Sequence, residues 1–594
     1  MEKDRTIIAI VLSLLVILVY FHFFAARPQP TKPQPQVPAT PVKTSEPAQV
    51  TVPAQEEPPS VSSQPEQQEL PEEPAVDPET GEVATGTLTV GWSNSSAAIN
   101  RITITDKRDE KYIYPDYSRE NPLGLIFSED EGDYSLRLCK QESIEDIAAG
   151  NWKVLEKNDR EIVMQSRIPG GPTITKQLIF QDKSYHVRFK LTLKNETQGP
   201  LAPNYRILVA NGILDETGRR SPGGAVVARK AGGKFEVDKI PPTKLTDEEP
   251  RKEYTAGGSW TGLENMYFAA VLAPEDEITS GAVSSILIEK AFGSKKEKDL
   301  DAVGPPGLLN MRVILVSKEI PLKPGEEVVH QYLFFAGPKQ DDVLDSYKSF
   351  GFSSILDYGW FGFLSKLFLT ILRGIYYVLP NWGVAIIILT LIVRLCLHPV
   401  SRKSQMSMQK YQRAMQKLKP KLDKLKEKLK NNREKLTKET MKLYREEGVS
   451  MFPAGGCLLM LLQIPVFIGL YWALSLSIEL RQAYFLFWID DLSQPDCLFN
   501  LGGNIPILGT SCVNILPVIM LAAMIFQQKT QPRAADPQQA QQQKMTMYIM
   551  LFVIGFIFYN MPSGLVLYFL TSTLVGLGET KMIKRKLAAE ETGD

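Results

Sequence analysis

Hydrophobic and polar positions alternate in the middle of the chain. Between residues 84 and 337, apolar and polar side chains follow a period of two in short runs such as TGTLTVGW, TITKQLIFQ and YHVRFKLTL. Gly, Pro, Asn and Asp separate these runs, which is the signature of antiparallel β-strands. Many such strands over this length predict a β-sandwich.

Long apolar runs at both ends of the chain predict membrane-spanning helices. The first run is 6–26, whose apolar core exceeds the roughly 7–15 residues typical of a signal peptide. An uncleaved anchor is therefore favoured over a cleaved signal peptide. The other runs are 381–400, 457–476, 513–528, 545–559 and 563–578. Because about twenty apolar residues cross a bilayer as a helix, the pattern predicts a six-span α-helical membrane protein with a large β domain.

The remaining segments complete a predicted domain plan. A Pro-, Gln- and Glu-rich stretch has too little apolar surface to fold and is typical of an extended tether. The plan is an N-terminal anchor (1–26), a linker (27–83), the β domain (84–350), an interfacial amphipathic helix (351–379), a second span (380–400), a basic helical hairpin (401–452), four further spans (453–580) and a short basic tail (581–594).

Charge is balanced overall, with 67 basic and 67 acidic residues, but it is segregated. Residues 402–447 carry sixteen Lys and Arg against six Asp and Glu. Since cytoplasmic loops carry the Lys and Arg excess, this hairpin is predicted to be cytoplasmic, with both termini on the same side and the β domain outside. Leucines at helical spacing predict an apolar seam, with lysines on the outer face: Lys417, Lys421, Lys424 and Lys428. A solvated hairpin without a specific partner is the alternative.

A charged residue interrupts the second span. Arg394 lies between Thr390 and His398, four residues to either side, so the three share one helical face. The opposite face is Ile, Leu and Val, and Ile386 is expected to face lipid. A charge at this depth costs several kcal/mol on some scales, unless water or a partner compensates it. Snorkelling to the nearby headgroups is the alternative.

Further polar residues favour a wet environment for Arg394. They recur inside the later spans at Gln463, Tyr568, Thr571 and Ser572. The last three apolar runs are also short for a bilayer core of about 30 Å, and short spans thin the membrane around them. We therefore expect a one-sided hydrophilic groove within the bundle.

The remaining chemistry-bearing residues are few. Cys497 and Cys512 lie in or beside a predicted outer loop, where an oxidising compartment permits a disulfide; two separate thiols are the alternative. No nucleotide-binding GxxxxGK[ST] loop and no metal-ligand spacing occur in the sequence. We accordingly expect no cofactor, no metal and no catalytic residue.

Four stretches resemble the YidC membrane protein insertases of Gram-negative bacteria. They are GVAIIILTLIVRLCLHPV, KLYREEGVSMFPAGGCLLMLLQIPVFIGLYWAL, IELRQAYFLFWIDDLS and MPSGLVLYFLTSTL, in this order between about residues 355 and 580. The resemblance implies a periplasmic β-supersandwich and a five-helix insertase core. It also implies a groove that is open to cytoplasm and lipid and closed on the periplasmic side.

The resemblance also implies roles for particular residues. Arg394 matches the family's groove arginine and Thr390 a polar neighbour, while Tyr568 and Phe569 match an aromatic pair that contacts the substrate. That pair often reads Tyr-Tyr in the family, so Phe569 departs from the pattern, as does the cysteine-flanked outer insert. With Gln463, Phe467 and Ser572, these residues form the expected substrate groove.

The implied function is non-enzymatic insertion, folding and assembly of inner-membrane proteins. The implied partners are nascent membrane proteins, the ribosome transiently, the Sec translocon and lipids; we expect a monomer that binds no nucleic acid directly. A solute transporter is the first alternative, although the inverted repeats expected of many transporters are not found. A membrane-anchored periplasmic enzyme, or a sugar- or peptide-binding protein, is the second.

Overall fold

A computed structural model describes residues 76–592, except 109, 117–118, 129–133, 141–145, 148–151, 214–222, 247, 256–257, 291–310, 430–431, 447–453, 506–509 and 531–536. The predicted anchor and most of the predicted linker lie outside the described residues.

Twenty β-strands lie before the long helices in the described part of the chain, with one short α-helix among them. The first ten are β1 (Thr80–Ala84), β2 (Leu88–Ser93), β3 (Ala98–Ile104), β4 (Lys107–Arg108), β5 (Lys111–Tyr112), β6 (Leu123–Phe127), β7 (Arg137–Cys139), β8 (Lys153–Lys157), β9 (Glu161–Arg167) and β10 (Thr173–Phe180). The next ten are β11 (His186–Lys194), β12 (Arg206–Asn211), β13 (Gly224–Ala231), β14 (Lys234–Ile240), β15 (Arg251–Thr255), β16 (Gly258–Glu264), β17 (Phe268–Pro274), β18 (Val283–Lys290), β19 (Met311–Ser317) and β20 (Glu327–Pro338).

These strands form a two-layered antiparallel structure. A nine-stranded sheet has the order β14-β13-β16-β17-β20-β11-β10-β9-β8, and a five-stranded sheet has the order β15-β18-β19-β12-β7. Side chains from both sheets share one hydrophobic core with a four-stranded sheet, β1-β2-β3-β6. The prediction of an all-β region is confirmed. Its first strand begins at Thr80, inside the segment predicted to be linker.

Strand β10 illustrates how the alternating pattern directs side chains. Ile174, Leu178 and Phe180 are buried and the residues between them are half-buried, as expected for a strand with one face on the core. Lys176 occupies the same inward register and is fully buried. Its ammonium group donates hydrogen bonds to the backbone carbonyl oxygens of Ala97 and Leu136.

Nine α-helices are described. They are α1 (Glu277–Ala282), α2 (Asp341–Asp345), α3 (Gly362–Val378), α4 (Trp382–Lys428), α5 (Arg433–Glu446), α6 (Ala454–Leu476), α7 (Leu516–Thr530), α8 (Pro537–Tyr559) and α9 (Ser563–Thr592). Short 3₁₀ turns cover Pro242–Lys244, Phe352–Ile355 and Ile478–Leu480, and a hairpin of β21 (Phe499–Ile505) and β22 (Thr510–Val513) lies between α6 and α7.

The helices continue beyond the predicted apolar spans. Helix α4 runs without a break through Pro399 and Pro420, so the predicted span (380–400) and the first arm of the predicted hairpin are one helix. A proline inside a helix removes one backbone hydrogen bond and strains the preceding turn, but it does not force the helix to end. Helices α8 and α9 also extend beyond their apolar runs into polar sequence. An apolar run indicates which part of a helix is suited to lipid, and it does not mark where the helix begins or ends.

The basic hairpin consists of the end of α4 and helix α5. Leu418 is buried, and the four predicted outer-face lysines, Lys417, Lys421, Lys424 and Lys428, are exposed. Within the described residues, one segment, Trp382–Ser407, is long and apolar enough to cross a membrane. Gln463–Leu476 and Gln543–Tyr559 are shorter apolar helical segments.

Polar contacts connect the β region to the segment that follows α6. The Arg481 guanidinium donates to the carbonyl oxygen of Pro115 at 2.7 Å, and the Gln482 amide donates to that of Asp116 at 2.8 Å. Arg119 donates to the carbonyl oxygen of Asp490 at 2.7 Å. The β region is therefore in contact with the loop between α6 and α7.

Candidate functional site

The polar face of α4 contacts α9. Arg394 Nε donates a 2.7 Å hydrogen bond to Ser572 Oγ. The guanidinium lies close to Gly576, where a Cβ atom would be 3.7 Å from Nη1 and 3.0 Å from Gln527 Nε2. Glycine therefore provides the room that the guanidinium occupies between α4, α7 and α9. Arg394 is half-buried, so it is partly protected from solvent without being enclosed.

Thr390 contributes differently from the expectation. It is fully buried, and its hydroxyl donates to the carbonyl oxygen of Ile386, one turn earlier in the same helix, at 2.7 Å. Thr390 thus lies on the predicted face, but its hydrogen bond stays within α4.

A second polar contact joins α6 to α9. Gln463 Nε2 donates to the Tyr568 hydroxyl at 2.9 Å. Tyr568 and Ser572 are four residues apart and share one face of α9. The structure thus brings Arg394, Ser572, Tyr568 and Gln463 together as a polar row across α4, α9 and α6.

Aromatic side chains lie beside this row. The Phe569 ring centroid is 5.2 Å from that of Phe467 and 4.6 Å from that of Phe558, both in edge-to-face arrangement. Tyr568 and Phe569 are also in edge-to-face contact, at 5.3 Å. Phe467 and Phe569 were predicted from the sequence. Phe558 was not, because one more Phe in the apolar sequence of α8 carries no distinguishing signal.

A carboxylate that the sequence reasoning missed lies one turn along α4 from Arg394. Glu579 Oε1 is 2.7 Å from His398 Nδ1, and Glu579 is buried, with 8% of its surface exposed. The sequence contained a signal, since Glu579 follows the apolar part of α9 and precedes the basic tail. His398 was identified as part of the polar face, but no partner could be assigned to it.

The lipid-facing side of α4 was assigned incorrectly at one position. Ile386 was expected to face lipid, but only 1% of its surface is exposed. It precedes Thr390 by four residues, so it lies on the same inward face. Leu395, with 74% exposed, lies on the outer side instead.

The loop between α6 and α7 covers the start of α9. The backbone N–H groups of Ser563 and Gly564 donate to the carbonyl oxygens of Gln494 and Leu492 at 2.7 and 2.9 Å. Because the first N–H groups of a helix have no partner within it, these contacts anchor the loop to that end of α9. The loop therefore covers the end of the helices at which α4 and α9 begin. The hairpin lies at the other end of α4.

Asp496 fixes the same loop to α7. Its Oδ2 accepts hydrogen bonds from the backbone N–H groups of Ile515 and Leu516, at 2.9 and 2.6 Å, and from Trp488 Nε1 at 3.0 Å. Burial raises the pKa of the Asp496 carboxyl, and these hydrogen bonds oppose that shift. Cys497 and Cys512 form a disulfide next to it, across the base of the β21–β22 hairpin.

The four hairpin lysines do not join this site. Lys417 follows Arg394 along the same helix by about 35 Å at 1.5 Å per residue. In the described part of the chain, no group of three or more His, Cys, Asp or Glu side chains is placed to bind a metal ion. The site is therefore a polar and aromatic surface between helices, with one arginine and one carboxylate.

Comparisons with known proteins match nearly the whole chain. The family described as 60Kd inner membrane protein matches residues 374–590, and the YidC periplasmic domain matches residues 128–371. The membrane protein insertase YidC of Pelobacter propionicus is 31% identical over 98% of this chain and 99% of that protein. The one from Syntrophus aciditrophicus is 28% identical over 99% of this chain and 100% of that protein.

A solved structure described as an active YidC insertase with its first transmembrane domain resolved is also similar. It is 18% identical and covers 84% of this chain and 91% of that chain, with a TM-score of 0.31. The family assignment rests on the sequence matches.

Proposed function

This chain belongs to the YidC family of membrane protein insertases, and from that membership we propose how its helices receive a client. It is an inner-membrane protein with a periplasmic all-β domain and a C-terminal helical region, and its substrates are membrane proteins.

The proposed topology has six spans and cytoplasmic termini. Helices α4, α6, α7, α8 and α9 form the five-helix core, and residues 1–26 supply the anchor. The basic charge of residues 402–447 supports a cytoplasmic hairpin, because Lys and Arg are retained on that side. The contacts of Arg481 and Gln482 with the β region support a periplasmic position for the loop after α6.

Arg394 provides the charge that attracts acidic residues of the client. Its hydrogen bond to Ser572 uses Nε, and among the described residues no hydrogen bond or ion pair engages Nη1 or Nη2. These two nitrogens form the fork that binds a carboxylate through two hydrogen bonds. Partial burial strengthens the attraction, because the local dielectric constant is lower than that of water. This is the observation that carries the proposal.

The aromatic cluster receives the apolar part of the client. Phe569 makes edge-to-face contacts with Phe467 and Phe558 beside the Gln463–Tyr568 hydrogen bond. A client helix that leaves the polar row therefore meets an apolar surface before it reaches lipid. Its own hydrophobicity then drives partitioning into the bilayer. No covalent bond is made or broken.

The hairpin makes the first contact with the nascent chain. Its exposed lysines suit a transient encounter with a translating ribosome or with the acidic part of a client, since surface charges increase association rates. We also propose that the chain co-operates with the Sec translocon and contacts lipid headgroups. We further propose that the working unit is a monomer that binds no nucleic acid directly.

Site-specific photocrosslinking tests the proposed path. A photoreactive residue replaces Gln463, Phe467 or Phe569 in the full-length chain, and a ribosome-bound single-span client is presented. Leu395, on the outer side of α4, is the control position. Crosslinks from the three groove positions, with clearly fewer from Leu395, are expected. Equal labelling at all four positions would contradict a defined client path.

A further inference from the structure

The contact between His398 and Glu579 is the part of the polar face that the proposed function does not use. Glu579 Oε1 is bound to His398 Nδ1 at 2.7 Å. The other carboxylate oxygen, Oε2, is buried and has no hydrogen-bond partner among the described residues. Leaving a buried polar atom unpaired is unfavourable, and more so for a charged group. A hydrogen-bond donor placed at Glu579 Oε2 would therefore stabilise this carboxylate.

The pair is aligned with the Arg394 site along both helices. His398 follows Arg394 by one turn of α4, about 6 Å along the axis. Glu579 follows Ser572 by two turns of α9, so it lies on the same face. Because α4 continues into the basic hairpin, the pair lies between that hairpin and Arg394.

Among the described residues, the nearby cations of the tail do not bind Glu579. The Lys584 ammonium donates to the backbone carbonyl oxygen of Thr530, and Lys581 is exposed. On the α4 side, Gln405 accepts a hydrogen bond from the Thr580 hydroxyl at 3.3 Å. His398 is thus the group that the structure places on the carboxylate, and it engages one oxygen of the two.

We propose that Glu579, held by His398, is a second client-binding position that takes a cationic side chain of the translocating segment. The ligand class is a primary ammonium or guanidinium group, which supplies the donors that Oε2 lacks. This inference rests on the proposed groove. It makes the groove bipolar, with a carboxylate near the hairpin and an arginine farther along the client's path.

This arrangement predicts selectivity by charge sign. A Lys in the translocated tail would bind Glu579 before it reaches the repulsive charge of Arg394. A tail carrying Glu would gain nothing from Glu579 and would bind at Arg394. Clients that differ in a single tail residue therefore separate the two positions.

The test uses the full-length chain in vesicles of phosphatidylethanolamine and phosphatidylglycerol. Three single-span clients carry Lys, Gln or Glu at one position of a short translocated tail. Insertion is measured as the fraction of tail protected from added protease. The variant Glu579→Gln retains the size of the side chain and an acceptor for His398 but removes the charge. Glu253→Gln, on an exposed position of β15, is the matched control.

We expect Glu579→Gln to lower insertion of the Lys client about fivefold, in line with the loss of a charge-assisted hydrogen bond. The Gln and Glu clients should insert as with the unaltered chain, and Glu579→Asp should restore part of the Lys client's insertion. An equal loss for all three clients would show that Glu579 only holds α4 against α9. No loss for any client would overturn the proposal as well.

Crosslinking separates this proposal from the one on which it rests. If Gln463 and Phe569 crosslink to the Gln client while Glu579→Gln leaves the Lys client unaffected, only the second position fails. If those crosslinks are absent with the unaltered chain, the groove itself fails.

Discussion

The β region and the helical region place apolar side chains in opposite directions. In the β region, large side chains such as Trp260 and Phe334 are buried between sheets. In the helical region, Leu395 and Phe552 are 74% and 72% exposed, while Ser572 and Glu579 are buried. The first region folds by removing apolar surface from water. The second lies in lipid, where close packing and hydrogen bonds between helices hold the structure.

Buried polar groups also differ between the two regions. In the β region they form enclosed contacts, such as the hydrogen bonds of the Tyr205 hydroxyl with His330 and Tyr332 at 2.6 and 2.7 Å. In the helical region Ser572 and Glu579 join α9 to α4, and the arginine at the centre is only half-buried. Enclosed polar groups that are fully paired serve the fold, whereas partly open or unpaired ones can receive a ligand. This difference in exposure indicates that the functional site lies in the helical region.

The largest expected effect contrasts two Phe→Ala substitutions. Phe334→Ala leaves a cavity in the β core and should lower the free energy of unfolding by about 3–5 kcal/mol. Phe552→Ala, on the outer side of α8, should change it by less than about 0.5 kcal/mol. Denaturant unfolding of the full chain in detergent, followed by Trp fluorescence, measures both. Similar losses would contradict the opposite orientation of the two regions.

Introducing an aspartate reverses the ranking of the two regions. The substitution on the outer side of the helical region is now expected to cost more than the one in the β region. Phe552→Asp puts a charge against lipid and should destabilise the membrane-embedded chain by about 3 kcal/mol. Leu155→Asp, at an exposed position of β8, meets water and should stay within about 0.5 kcal/mol. The yield of folded protein in membranes and unfolding in lipid nanodiscs provide the comparison. A tolerated Phe552→Asp would mean that α8 does not face lipid at this position.

Two serines sharpen the contrast between enclosed and open polar contacts. Ser317 Oγ is buried and accepts the backbone N–H of Tyr205 at 2.8 Å. Ser317→Ala should therefore cost about 1–2 kcal/mol, because that donor stays unpaired. Ser572→Ala should cost less than about 0.5 kcal/mol, since the half-buried Arg394 retains access to water. Unfolding of both variants under one condition tests this, and a larger cost at Ser572 would refute it.

The last expected effect depends on pH and concerns Lys176. Burial lowers the pKa of this ammonium to about 7, whereas in the unfolded chain it is about 10.5. Between these values the unfolded chain holds a proton that the folded one has released. Stability should therefore rise with pH over this window, by about 1.4 kcal/mol per unit. Lys176→Met should remove that rise.

Unfolding free energies at pH 7.5 and 9.5, compared between Lys176→Met and the unaltered chain, isolate this contribution from other titrating groups. Parallel changes in the two proteins would mean that Lys176 stays charged in the fold. Its two carbonyl acceptors would then outweigh the effect of burial.

Sequence periodicity predicted the β region better than the site. Alternation defines which face of a strand is buried, so runs such as β10 were recognisable. Pairing order among the strands depends on distant contacts and was not predictable. The linker boundary was misplaced because β1 is short and follows polar sequence without a break in composition.

In the helical region, residue spacing predicted which side chains share one face of a helix. It did not predict which residues of other helices they contact. The positions of Thr390, Arg394 and His398 follow from one helix, and in the structure Arg394 and His398 both contact α9. Ser572 and Glu579 became partners only through the relative register of α4 and α9, which a single helix does not encode. The error at Ile386 was avoidable, because its spacing from Thr390 already places it inward.

The unbroken course of α4 has a mechanical consequence. Its 47 residues amount to a rod of about 70 Å, of which roughly 45 Å lies beyond Pro399. The hydrogen bond missing at that proline makes it the natural pivot of a lever. A tilt of about 10° there displaces the far tip by about 8 Å. A bend at Pro399 therefore lets the hairpin change direction while the turn that carries Arg394 keeps its contact with α9.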